Sequence, residues 1–156
     1  MPGINYSNAV ALIAMAVSFL AACHSRPPGP PEIAVDRTAC SHCGMFVSEP
    51  IYAAAYHVEG SEPKVFDDIA CLREGMRRDS LSAGASGVRM WFQDGNGGGW
   101  IESGDPVLVS SPMFRTPMGG GIIAYHDVAA ATQAAGEYQG RVVGSLTDLI
   151  HPKGDK

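Results

Sequence analysis

Apolar residues in this chain fall into short runs parted by Gly, Pro and Asp, and their spacing switches between strand-like and helix-like. The run "IYAAAYHV", Ile51 to Val58, has the apolar density and aromatics of a strand, and Glu59-Gly60-Ser61-Glu62-Pro63 closes it as a turn. "PKVF" predicts a second strand. Behind it, Ile69, Leu72 and Met76 recur at helical spacing through "DIACLREGMRR", and Asp67 or Asp68 can cap that helix, because a short carboxylate accepts first-turn N–H groups. "SGVRMWFQD" is the next strand, ended by the "DGNGGG" turn. The order is strand, strand, helix, strand.

The same order recurs downstream. "WIESGDPVLVSS" supplies a strand near Val107 to Val109, "GGGIIAYH" a second, Asp127 caps "DVAAATQAAGEY", and "GRVVGSLTDL" is the last strand. "KVFDDIACLREG" lies over "IIAYHDVAAATQ" as a strand running through an Asp into a helix, and "VRMWFQD" over "RVVGSLT". The expected fold is α+β, with two related strand-strand-helix-strand units in tandem: residues 38–104 and 105–150, followed by a tail at 151–156. Each unit owns one unusual loop, "CSHCGM" in the first and "MFRTPMGGG" in the second.

The first residues bear on the compartment. "AVALIAMAVSFLAA" is short for a membrane span and ends in small residues before Cys23, as a secretory signal does, although "MPGINYSN" ahead of it has no Lys or Arg. "LAAC" followed by "HSRPPGPPE" resembles a bacterial lipobox, so residues 1–22 read as a lipoprotein signal peptide, Cys23 as the lipidated residue, and 23–37 as a flexible tether. The expected location is the bacterial cell envelope, lipid-anchored and facing the periplasm, with the outer membrane as the expected membrane. Eleven basic against sixteen acidic residues give a net charge of -5, and no basic run exceeds Arg77-Arg78, which argues against nucleic acid as a partner.

Cys40 and Cys43 in "CSHCGM" admit three chemistries. A thioredoxin-like redox pair needs a helix starting at the motif to lower a thiol pKa, and the residues after Gly44 are strand-like. A structural zinc site needs a second pair of N or S ligands, and Cys71 stands alone inside a predicted helix; a structural disulfide is open too, because the compartment is oxidising. The third chemistry is a soft metal: thiolate and thioether select Cu(I), and Gly44 permits a turn that brings Cys43 and Met45 together. Of the seven methionines, Met76 and Met90 sit in core patterns. Met118, between Pro117 and Gly119, has little packing to satisfy and reads as a ligand, whereas Met113 reads as the loop's hydrophobic anchor. His42 is expected to face solvent, and His57 and His126 to be hydrogen-bonded and partly buried. No spacing supports a nucleophile triad or a paired-carboxylate site, so no enzyme is expected.

The lipobox, "CSHCGM", "VFDD", "MWFQD" with its glycine turn and Trp100, "TPMGGG" and the closing "GRVV" together resemble the NosL family, copper-binding accessory lipoproteins of nitrous oxide reductase. The resemblance covers nearly the whole chain after the signal. It implies a Cu(I) metallochaperone that delivers copper for assembly of the reductase's copper centres, with the reductase or its membrane maturation machinery as partner and a monomer as the expected state. It makes Cys43 the foremost ligand, Met118 its partner, and Met45 and Cys40 the further members of the set. Relatives often have only the second cysteine, which makes Cys40 the least secure.

Overall fold

The computed structural model describes residues 29–104 and 106–143. The predicted signal peptide, residues 23–28 of the predicted tether with Cys23, residues 144–150 of the last predicted strand, and the tail lie outside the described residues.

The first unit comprises β1 (Ala54–Val58), β2 (Lys64–Phe66), α1 (Ile69–Arg78), β3 (Val88–Gln93) and a short β4 (Trp100–Glu102). The second comprises β5 (Val107–Ser110), β6 (Ile122–Tyr125), α2 (Val128–Glu137) and β7 (Arg141–Val142). Both are antiparallel sheets, with order β2-β1-β3-β4 in the first and β6-β5-β7 in the second. In each, the first strand is central, the second pairs on one side and leads through a capping Asp into the helix, and the strand after the helix returns to the other side. That shared connectivity is the tandem α+β arrangement the sequence pattern predicts.

Two boundaries differ from the expectation. Pro50 opens a 3-10 turn over Pro50–Tyr52, so the predicted strand at Ile51 begins only at Ala54. A proline fixes φ and has no N–H for a ladder, which suits the start of a helical turn. The strand β4 was not foreseen, since three residues are too few to show a period.

Alternation explains how the halves share a core. Leu108 on β5 and Ile122 and Ala124 on β6 join Tyr56, Phe66, Leu72, Met76, Met90 and Phe92 of the first unit in one apolar cluster. The intervening Val109, Ile123 and Tyr125 face the other way and pack with Ala131 and Ala134 of α2. The Gly95 N–H donates to the Ala124 carbonyl at 2.8 Å, and Asp94 bridges to Ala124, so the end of β3 is stitched to β6. Met76 and Met90 are buried as expected.

Candidate metal centre

The segment "CSHCGM" folds into a tight hairpin. Ala39 bridges to Phe46, the Cys40 N–H donates to the Met45 carbonyl at 2.7 Å, and the Gly44 N–H donates to the Cys40 carbonyl at 2.9 Å. Gly44 turns the chain with φ 79°, in the left-handed region that glycine enters without a steric cost. The hairpin is fastened to the first sheet by the Ser41 N–H on the Val65 carbonyl at 2.8 Å, and to the end of α1 by Arg78 on the Ser41 carbonyl at 3.2 Å. Arg78 reaches the hairpin from the far end of the helix, while the cysteine pair itself lies by the start of α1.

Cys71 sits there, in the first turn of α1. The thiols of Cys40, Cys43 and Cys71 lie within 4.8 Å of one another, a group that could hold a metal ion. Cys71 therefore does not stand alone, contrary to the sequence-based expectation. Its helix docks on the first sheet with Ile69, Leu72 and Met76 inward, and Cys71 shares the core with Cys40. All three cysteines are unpaired, with Cys40 and Cys71 buried and Cys43 half-buried.

The three thiols differ in their electrostatics. Burial alone would raise the Cys40 thiol, but backbone N–H groups of Cys43, Asp67 and His42 act on the sulfur and hold it below the usual thiol value. Burial raises Cys43, opposed by the Met45 N–H and reinforced by neighbouring Cys40. Burial, followed by the Cys40 charge, raises Cys71 strongly. Three converging sulfurs that give up their protons on metal binding form a soft donor set. No helix begins at Cys43, so the arrangement is not that of a thioredoxin-like pair.

The second loop meets the same helix end. Asp68 caps α1 by accepting the Cys71 N–H on Oδ1 at 2.9 Å, while its Oδ2 accepts the Thr116 hydroxyl at 3.0 Å and the Met118 N–H at 3.1 Å. Gly120 lies so close to α1 that a Cβ there would come within 2.4 Å of the Ala70 Cβ. The backbone of Met118 is thus tied to the carboxylate that holds the Cys71 backbone. Met45 and Met118 are both exposed, at 55% and 43%. Met113 is exposed as well, and Phe114, which sequence reading passed over, is the buried anchor of that loop. His42 faces solvent as expected, and His57 is buried with its Nε2 3.0 Å from the Ser61 carbonyl, but His126 is exposed where partial burial was expected. Of the two candidate caps, Asp68 takes the role; Asp67 is buried beside it with Oδ1 unpartnered, its carboxyl raised by burial and then by the charges of Asp68 and Glu49.

Tandem strand-strand-helix-strand units with a three-thiol cluster, two of its cysteines buried and one half-buried, define the class: a small α+β protein with a candidate soft-metal centre. Among solved structures, that of the copper chaperone NosL from Shewanella denitrificans is similar to it, with a TM-score of 0.63 and 16% identity, over 75% of this chain and 93% of that one. At such identity the likeness is one of fold. No family model and no curated protein matches the sequence. Among the described residues no helix is long and apolar enough to cross a membrane.

Proposed function

We propose that this chain is a Cu(I) metallochaperone of the cell envelope, anchored through Cys23, that carries copper for assembly of the copper centres of nitrous oxide reductase. The observation that carries the reading is the convergence of the Cys40, Cys43 and Cys71 thiols within 4.8 Å. Three sulfurs satisfy Cu(I), which favours thiolate and thioether over oxygen and accepts low coordination. The thioethers of Met45 and Met118 are the further donors of this reading, and their exposure suits a cargo that must leave. The fold shared with a copper chaperone supports the same role.

Structural zinc is the second reading, since three thiols are also part of a zinc set. A structural zinc site is closed by four N or S ligands and does not exchange, whereas a chaperone site lets an acceptor's ligands in. The test is transfer. Copper-loaded protein mixed with apo-reductase, or with its membrane maturation machinery, is expected to lose copper to the acceptor. Retention of copper in the presence of both acceptors would contradict delivery and leave storage or structure as the role.

A further inference from the structure

We propose that Asp68 is a positioning residue for copper binding, setting Cys71 and Met118 about one site through its two carboxylate oxygens. The proposal rests on the reading of Met118 as a donor. Asp68 is 1% exposed, and it divides its acceptors between the two halves of the fold: Oδ1 to the Cys71 N–H, Oδ2 to Thr116 and Met118. The Thr116 oxygen itself accepts the Gly121 N–H at 3.1 Å, so its hydroxyl proton is free to point at Asp68. Two donors then converge on one anionic oxygen, the charge-assisted arrangement that holds a backbone in place.

The tandem repeat supplies an internal comparison. Asp127 caps α2 in the equivalent position with one oxygen, accepting the Ala130 N–H at 2.7 Å, and is exposed. Capping alone needs neither burial nor a second acceptor. The buried Oδ2 of Asp68 does something additional, and its partners are the residues that carry Met118.

The substitution Asp68→Asn separates the two roles. The amide keeps one acceptor, which can remain on the Cys71 N–H, but it replaces the other oxygen with an NH2 that faces the donors of Thr116 and Met118. Cu(I) affinity of the full chain is measured by anaerobic competition with a chromogenic Cu(I) chelator, for wild type, Asp68→Asn, Met118→Leu and the double variant. Each single variant should bind about tenfold more weakly, the scale seen when residues that orient metal ligands are changed. The double variant should be no weaker than Met118→Leu, because the loss is the same loss. Multiplying effects, or wild-type affinity in Asp68→Asn, would overturn the positioning role while leaving copper binding intact. Wild-type affinity in Met118→Leu would overturn this proposal together with the assignment of Met118, and copper retention in Cys43→Ser would instead strike the metal site itself. If Asp68→Asn does not fold, Thr116→Val removes one bond to Oδ2 in nearly the same volume, and its cycle with Met118→Leu has the same two outcomes.

Discussion

Replacing Cys71 by alanine isolates the donor that only the three-dimensional structure brings to the site. Cys71 is 2% exposed in the first turn of α1, and its N–H, not its side chain, makes the bond to Asp68. Alanine therefore keeps the cap and removes only the sulfur. Burial of a group of that size contributes about 0.8 kcal/mol, with something further for the small void, while the better helix propensity of alanine returns about 0.5 kcal/mol. The apo-protein should lose about 0.3 kcal/mol plus the cost of the void, less than about 1 kcal/mol in all, and melt at most a few degrees lower. Copper should respond far more, because one of three thiolates is gone: affinity should fall on the order of tenfold or more, each factor of ten being about 1.4 kcal/mol. Thermal melting of the apo-protein and Cu(I) competition on the same samples give both numbers. Wild-type copper affinity in a folded Cys71→Ala protein would refute the three-thiol site, whatever the other cysteines do.

Binding should also depend on pH in a defined direction. Cys43 and Cys71 are both held above the usual thiol value and carry protons at pH 7, so Cu(I) bound by the three sulfurs must displace at least these two protons and bind more tightly as pH rises; calorimetry in buffers of different ionisation enthalpy would count them, and a count of zero would contradict the ligand set. Gly120→Ala places a Cβ against Ala70 and should push the Met118 loop off α1, weakening copper binding by the same order as Met118→Leu; unchanged affinity would show that the loop's seat on α1 is irrelevant to the site. Asp79, which accepts bonds from Lys64 and Tyr56, has its carboxyl pulled down to about 2, most by Lys64 and next by Tyr56, so its stabilisation is present above the ordinary value of 3.8 and is lost as pH falls toward 2. Asp79→Asn should flatten that stretch of an acid-unfolding curve, and an unaltered curve would show that the pairing contributes nothing.

Periodicity made the repeated unit readable: an apolar strand running through an Asp into a helix leaves the same trace at Asp68 and at Asp127, and one carboxylate cap explains both. What the trace does not contain is the difference between them. Asp68 is buried and its second oxygen is bonded to the loop of the other half, a contact made only when the long β5–β6 connection folds back over α1. Cys71 was hidden for the same reason. At helical spacing it is one more apolar position beside Leu72, and its sulfur acquires chemistry only where the hairpin of Cys40 and Cys43 meets the start of the helix. In the second loop, the sequence pattern made Met113 the hydrophobic anchor, but which residue anchors the loop depends on α2, whose cluster takes Phe114 and leaves Met113 exposed.

The central claim is that the three cysteines bind one Cu(I) as cargo. X-ray absorption spectroscopy of the chain loaded with one equivalent of copper under anaerobic reducing conditions tests it most directly, with wild type and Cys71→Ala measured side by side. The account predicts Cu(I) in a low-coordinate shell made of sulfur, with one sulfur fewer or a replaced neighbour in the variant. A shell of nitrogen and oxygen, or one identical in the two proteins, would contradict it.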